Sequence, residues 1–560
     1  MRMATPFLCW LLLGASAFAD FPKEVVATNG AVVCVSPPAA EIGLAVLKQG
    51  GNAVDATVAV AFALAVTWPE AGNIGGGGFM HVWPGAGKPP VVFDYRETAP
   101  AKSTPKMFVE TKAGADSHLS CGVPGTVRGM AMAHAKYGKR PWKDLIDPAV
   151  KLATDGFPVT AGLAGRMNGV LLERTLSNKE FVRVYAKNGS IKERWQAGDI
   201  MKLPDLGKTL ARIRDDGADS FYTGVTADLL VNEMIRGQGI VTKEDLQNYR
   251  AIERPSLSVN YRGHTVYAPP LPSGGGVILL ESLNILDRFP LARHPKESPE
   301  TIHLMSEAMR RAFADRAQYM GDPAFVKPID HLLTANHAER WARTIDPAKA
   351  SKSEELPGAV PLSDIPEGES TTHFSIIDKD GMAVANTYTL ENPFGSRIVV
   401  RGAGFLLNNE MTDFNIRPGI TNRAGTVGTE PNRIAPGKRM LSSQCPTFVA
   451  RDGQLRLVTG SPGGRTIPNT VLNIVVNVVD YGMDARAAVD APRHHQQWFP
   501  DRIQLERMTD RVAIEAGLRA RGHQVAGSRQ GDAHSIVVDP KTGKFMGAAD
   551  RRLDGASLGY

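Results

Sequence analysis

Cysteine is scarce: four residues in 560. Cys9 falls in the N-terminal stretch, and Cys34, Cys121 and Cys445 stand far apart and odd in number. That spacing fits neither a disulfide framework nor a cysteine-built zinc site, and no bridge is expected. After the N-terminus there is also no run of about 18 uncharged apolar residues, so no membrane anchor is expected in the mature chain. Clusters of one charge are missing too. The 64 Lys and Arg against 58 Asp and Glu leave +6, small for this length and evenly spread, which gives nucleic-acid binding no footing. Internal repeats and low-complexity tracts are absent, and the length alone allows roughly two to four domains.

What is present begins with a targeting signal. Arg2 gives a positive start, residues 6–15 are apolar, and Ala17-Phe18-Ala19 is a small-residue cleavage pattern. Residues 1–19 read as a secretory signal peptide, which predicts a secreted or periplasmic protein. Cys9 lacks the small-residue surroundings of a lipid-attachment signal.

Residues 39–48 and 52–66 read as helices. The second is apolar nearly all round, which marks an interior helix. Ala71 to Phe79 holds four successive glycines, Gly75 to Gly78, which let backbone approach backbone or a ligand without Cβ clashes. A phosphate loop would need a following Lys-Ser/Thr and a helix, and neither follows. Residues 80–83 and 90–94 read as strands, leading into Asp94-Tyr95-Arg96-Glu97. Taken alone, Arg96 reads as a surface arginine paired with its acidic neighbours. Helices are expected at 127–136, 142–154, 208–215, 225–237, 243–249, 277–287 and 300–319, with few strands before residue 371. Beyond it, hairpins are expected at 372–389 and 447–460, a helix at 467–481 after Ser461-Pro462-Gly463-Gly464, and strands at 502–506, 534–538 and 545–549, with a helix at 510–521. Strands and helices in blocks predict an α+β fold, with antiparallel sheets covered by helices.

The chemistry centres on Glu369-Ser370-Thr371-Thr372-His373. A polar, Pro- and acid-rich loop precedes it and the hairpin follows. By itself Thr371 reads first as an ordinary loop-to-strand residue. A chain that begins at a threonine, however, has its own α-amine as general base, with a pKa of about 7.7–8.0. Cleavage between Ser370 and Thr371 would make Thr371 such a nucleophile.

Separated motifs decide between these readings. They include Gly51 to Ala56, Ala71 to Met80, Asp94 to Pro100, Ala314-Asp315-Arg316, Gly321-Asp322-Pro323, Thr371-Thr372-His373, Leu407 to Met411, Pro436-Gly437-Lys438, Leu441-Ser442-Ser443 and Thr459 to Gly464. With them the chain closely resembles the gamma-glutamyltranspeptidases, of the N-terminal-nucleophile hydrolase superfamily, from about Val32 to Tyr560. The resemblance implies a four-layer αββα sandwich and maturation into a large subunit (20–370) and a small catalytic subunit (371–560) that stay together as one unit. It implies Thr371 as nucleophile of both self-cleavage and catalysis, Thr389 as the hydroxyl that orients it, and Gly463 and Gly464 as the oxyanion hole. It assigns Arg96, Ser442 and Ser443 to the α-carboxylate of a γ-glutamyl group, and Glu410 and Asp413 to its α-ammonium. The implied activity is γ-glutamyl transfer and hydrolysis on glutathione or other γ-glutamyl compounds, with water, amino acids or dipeptides as acceptors and no cofactor or metal. Two other readings stand beside it: a glutaryl- or cephalosporin-acylase-like amidohydrolase, and a catalytically silent secreted binding protein.

Two departures qualify the resemblance. Glu391 stands where members with transpeptidase activity commonly carry asparagine. It is assigned to substrate binding, and Arg397 is its expected ionic partner. Ala424, in the segment 417–428, replaces a gating tyrosine found in some members, which predicts a pocket more open to water. His494-His495 lack an accompanying carboxylate or cysteine cluster and read as structural histidines.

Overall fold

In the computed structural model the described residues are 22–173, 178–356 and 371–560. The signal-peptide reading of residues 1–19 and the expected cleavage partner Ser370 lie outside them.

Residue parity builds two sheets back to back. The first has the order Ala556–Gly559, Gly30–Cys34, Thr372–Asp378, Ala383–Thr389, Gly77–Trp83, Val91–Asp94 and Ile252–Pro255. The second runs Val25–Ala27, Phe545–Ala549, His534–Val538, Gln454–Thr459, Thr447–Arg451, His264–Ala268 and Leu257–Tyr261. Every pairing in the two is antiparallel. Side chains alternate across a strand, so each sheet offers two faces. Ala31, Val33, Ile377, Ala383 and Ala385 from the first meet Phe448, Ala450, Val458 and Ile536 from the second in a core between the sheets. Their neighbours Val32, Cys34, Phe374, Ile376 and Val384 turn outward into a core with helices from the first half of the chain. Val266, Val449 and Leu457 turn the other way, onto Gly274–Leu286, Pro299–Tyr319 and Ile467–Val479. Helix, sheet, sheet, helix is the expected four-layer αββα sandwich.

The helix Ala53–Thr67 is buried at every position, as its apolar sequence predicts. Asn52 and Asp55 close its first turn reciprocally, each side chain accepting from the other's backbone N–H at 2.9 Å. One expectation is corrected. Strands are not few before residue 371. Leu257–Tyr261 and His264–Ala268 form a hairpin whose turn residues, Arg262 and Gly263, have φ of 51° and 74°, the left-handed pair such a turn demands. Gly30–Cys34 and Ala556–Gly559 were also missed. The former is buried on both faces and so shows no alternation, and the latter is four residues long. The three described cysteines are buried and unbridged. No helix among the described residues is long and apolar enough to cross a membrane.

Candidate active site

Thr371 lies at the junction of two cavities. The strand beginning at Thr372 pairs with Ala383–Thr389 in a register that sets Thr372 opposite Tyr388. One step back, that register places Thr371 against Thr389. Thr389 Oγ1 accepts from the Glu391 N–H at 2.8 Å, and its carbonyl accepts from Asn73 Nδ2 at 2.9 Å. The glycine run sits beneath this pair. A Cβ on Gly76 would lie 2.0 Å from Thr389 O, and one on Gly78 2.3 Å from Thr387 O. These glycines serve the approach of backbone to backbone that their sequence allowed.

Gly463 and Gly464 enter the site from the far sheet. They follow the strand Gln454–Thr459 and open a helical run through Gly464–Thr466 into Ile467–Val479. Their φ values are 129° and 53°, and a Cβ on Gly463 would meet Thr466 Oγ1 at 2.4 Å. Glycine is therefore required by conformation at both and by space at Gly463. A helix N-terminus directs backbone N–H groups and a positive dipole end outward, which suits a developing oxyanion.

The first cavity, of about 300 Å³, is lined by Thr371, Thr389, Gly464, Arg96, Glu391, Asp413, Ser442 and Ser443. Arg96 is fully buried, which corrects its reading as a surface arginine. Its Nη1 lies 2.5 Å from Glu410 and 3.4 Å from Glu97, its Nη2 pairs with Asp413, and its Nε donates to Met440 O at 3.3 Å. The expected carboxylate and ammonium anchors are thus one cluster of a cation and three acids. Glu97 was not singled out by sequence as part of it, although it adjoins Arg96. Burial is the main cause that pushes the Glu97 carboxyl up to about 7 and Glu410 well above the carboxylate range, against the pull of Arg96. Ser442 is held by its N–H donating to Pro272 O at 2.8 Å, and its Oγ accepts from the Gln444 N–H at 3.1 Å. Gly275 packs under this loop, where a Cβ would lie 2.1 Å from Ser443 O.

Glu391 is brought to the cavity by a segment with left-handed φ at Glu391, Phe394, Gly395 and Arg397. Its carboxylate accepts from Asn409 Nδ2. The expected pairing with Arg397 is not what the loop builds. Arg397 Nη1 faces Glu173 at 2.6 Å and Asp116 at 3.8 Å. Asn73 is a second residue that sequence reasoning did not single out. Besides holding Thr389, its Oδ1 accepts from Thr126 Oγ1 at 2.7 Å.

Two buried clusters have metal-ligand residue types, His303–Glu307–His523 and Glu281–Asp315–His337. Glu307 is committed to Arg311 at 2.6 Å and Arg310 at 3.3 Å. Asp315 Oδ2 accepts from His337 and from Trp341, both at 2.8 Å. His303 and His523 face each other at 2.8 Å, and Glu281 Oε1 accepts from His337 at 3.2 Å while its Oε2 has no hydrogen-bond partner; neither cluster is assigned a metal. His494 and His495 are buried in a short strand. Asn469 Nδ2 donates to His495 Nδ1, and His495 Nε2 donates to Gln497 Oε1, both at 2.7 Å. That is a structural engagement of His495.

The arrangement can bind a small zwitterion beside a hydroxyl nucleophile and a backbone anion hole, which is the equipment of acyl transfer. Comparison with known proteins agrees. The family model described as gamma-glutamyltranspeptidase matches residues 39–560. The glutathione hydrolase proenzyme of Escherichia coli K12 is 43% identical over 551 residues, covering 97% of this chain and 93% of its own. That of Bacillus subtilis 168 is 36% identical over 568 residues, covering 97% and 93%. Among solved structures, a cephalosporin acylase from Bacillus halodurans superposes with a TM-score of 0.84 at 28% identity, covering 100% of this chain and 99% of its own. Helicobacter pylori gamma-glutamyltranspeptidase superposes at 0.55 with 40% identity, covering 59% and 96%.

Proposed function

The chain belongs to the gamma-glutamyltranspeptidase family, and on that premise we propose that it is a secreted or periplasmic γ-glutamyl hydrolase and transferase, matured by cleavage before Thr371, that acts on glutathione-like compounds. The observation that carries this reading is the Arg96 cluster opening into the same cavity as Thr371 and Gly464.

In the precursor, Thr371 Oγ attacks the carbonyl of Ser370. The acyl group moves from nitrogen to oxygen, and water splits the ester, leaving a large subunit (20–370) and a small one (371–560). The freed α-amine of Thr371, neutral near pH 8, then takes the Oγ proton. Oγ adds to the γ-glutamyl carbonyl, and the Gly463 and Gly464 N–H groups stabilise the oxyanion. Collapse expels the amine leaving group with a proton from the Thr371 amine. Water or an amine then resolves the ester. Thr389, opposite Thr371 in the hairpin register, orients Oγ. The glutamyl head enters the Arg96 cluster by exchange of partners. Its α-carboxylate takes Arg96 with Ser442 and Ser443, and its α-ammonium takes Glu410, Asp413 and Glu391.

This electrostatic pattern separates the reading from a glutaryl acylase, despite the likeness to a cephalosporin acylase. A glutaryl group has no ammonium to neutralise the acids around Arg96. Release of nitroaniline from γ-glutamyl, glutaryl and α-aminoacyl anilides, with and without glycylglycine, tests it. The γ-glutamyl anilide is expected to be the preferred substrate, and glycylglycine to raise its turnover. A preference for the glutaryl anilide overturns the assignment. On a denaturing gel, the wild type is expected as two bands and Thr371→Ala as one. Two bands from Thr371→Ala would exclude self-cleavage by this residue.

A further inference from the structure

Gln444 lines the first cavity beside Ser442 and Ser443, and the acyl-transfer steps use no atom of it. Its backbone is fixed. The N–H donates to Ser442 Oγ at 3.1 Å and the carbonyl accepts from Ser273 Oγ at 2.6 Å. Gly275 packs so closely that a Cβ there would lie 2.7 Å from Gln444 O. The side chain takes no part in this. Gln444 is 2% exposed, and among the described residues neither its buried Oε1 nor its buried Nε2 has a hydrogen-bond partner. A carboxamide can make about four hydrogen bonds, two through each atom, and here it makes none. Neighbours in the lining are engaged. Asn415 Nδ2 donates to Thr429 O at 2.6 Å, Thr412 Oγ1 donates to Asn409 O at 2.8 Å, and Asp413 pairs with Arg96. Buried polar atoms left idle are costly, since they give up water and gain nothing. An amide in that state inside a binding cavity fits a ligand that carries a donor and an acceptor side by side.

We propose that Gln444 is a head-group contact that makes this cavity choose γ-glutamyl over glutaryl, its Nε2 donating to the α-carboxylate and its Oε1 accepting from the α-ammonium. The assignment rests on the γ-glutamyl reading above and adds to it a neutral residue that discriminates between acyl groups. Charge explains the need for one. An incoming carboxylate must compete for Arg96 with Glu410, Glu97 and Asp413, three acids around a single cation. Gln444 Nε2 is a donor that none of these acids holds, two residues along the loop from Ser442. The ammonium and carboxylate of a glutamyl group leave the same carbon, and the N and O of the amide also leave one carbon, so the two pairs match in kind and spacing. A glutaryl group is the same acyl chain without the ammonium. It would leave Oε1 buried and unpaired, whereas γ-glutamyl satisfies both atoms. A site built to hydrogen-bond a polar group rejects the analogue lacking it far more strongly than an apolar pocket rejects a missing methylene. Closure does not set Gln444 apart from the head-group site, because Arg96 lines the same cavity with no exposed surface either.

The test uses the mature enzyme and three nitroanilides: γ-glutamyl, glutaryl, which lacks the ammonium, and 4-aminobutyryl, which lacks the α-carboxylate. Gln444→Leu removes both polar atoms at nearly equal volume. The kcat/KM for γ-glutamyl divided by that for glutaryl should fall by about tenfold or more, and so should its ratio to 4-aminobutyryl. Gln444→Glu separates the two contacts. A carboxylate there still accepts from the ammonium but repels the substrate's carboxylate. The ratio to 4-aminobutyryl should therefore fall while the ratio to glutaryl holds or rises. A residue that only fills space would not split the two ratios in this way. Gln444→Glu also decides the matter if Gln444→Leu does not fold. Ratios that stay within about twofold of wild type in the variants overturn the contact and leave the γ-glutamyl reading intact. A wild type that prefers the glutaryl anilide overturns both.

Discussion

Arg96 carries a full charge while its side chain is wholly buried, and that fixes both its partners and its use. A buried guanidinium is tolerated only where acids and carbonyls surround it. Here Glu410, Asp413, Glu97 and the Met440 carbonyl do so. Its planar fork matches a carboxylate in two parallel bonds, which a lysine ammonium cannot reproduce. Arg96→Lys should therefore raise the KM for a γ-glutamyl anilide and lower kcat/KM by roughly a hundredfold or more, since disrupting a buried charge pair costs about 3–5 kcal/mol. A KM within twofold of wild type would show that Arg96 does not hold the substrate. The type and place of this residue were legible in the sequence through its motif. Its burial was not, because the groups that enclose it, from Glu410 to Met440, lie more than 300 positions away in the chain. Glu391 shows the converse. Its departure from asparagine was visible at once, yet its partner could not be read locally. The left-handed turns from Glu391 to Arg397 carry the arginine to Glu173 instead.

At the scale of elements, the hairpin around Thr371 and the glycine run beneath it act as one device. Four glycines allow the strand Gly77–Trp83 and the turn before it to press against Ala383–Thr389, and that contact sets where Thr389 stands. Gly76→Ala drives a Cβ to 2.0 Å from Thr389 O and 2.9 Å from Asn73 Oδ1. The expected result is a loss of about 1–3 kcal/mol in stability, typical of overpacking, and a fall in turnover of more than tenfold in the protein that still folds. Gly165→Ala, in the helix Ala161–Leu171 with open space around it, serves as control. It should be neutral or stabilising by up to about 1 kcal/mol. Equal activity in the two variants would remove the glycine run from any role in placing Thr389. Long helices and the hairpins after residue 371 were readable because their periodicity and turn residues are local. The hairpin Leu257–Tyr261 with His264–Ala268 also alternates and has an Arg-Gly turn, so its signal was there to be read. Gly30–Cys34 carries no such signal, since a strand covered on both faces has no reason to alternate.

Over the whole molecule, the sheets are woven from both sides of Thr371. Gly30–Cys34 lies between Thr372–Asp378 and Ala556–Gly559, and Leu257–Tyr261 and His264–Ala268 complete the sheet of Thr447–Arg451. Neither part can leave without tearing ladder hydrogen bonds, so a cut before Thr371 would leave one folded body. A body this tightly layered also buries histidines. His81, His494 and His523 are pushed down to about 3, His495 to about 4 and His373 well below its usual value, in each case chiefly by burial. Unfolded histidines bind protons near pH 6.5. Between about pH 6.5 and 4 the unfolded chain therefore holds more of these protons, and the histidines withdraw stability as pH falls. Glu70 and Glu97 act the other way. Raised to about 7, each keeps a proton when folded that it would lose near 4.5 when unfolded, so their contribution is present at low pH and lost as pH rises through that window. Glu281, Glu410, Asp378, Asp480 and Asp532 are raised by burial too, and His264 and His303 lowered, so the two sets oppose each other across this window and substitution isolates the share of one histidine. Replacing His81, whose Nδ1 lies 3.0 Å from Pro446 O, by glutamine removes a proton that only the unfolded chain binds. In urea unfolding, the stability of the variant relative to wild type should therefore rise as pH falls from 6.5 to 5, by up to about 1.4 kcal/mol per pH unit, the share of one proton. A difference between variant and wild type that stays constant from pH 7 to 5 would mean that His81 is not held neutral in the folded protein.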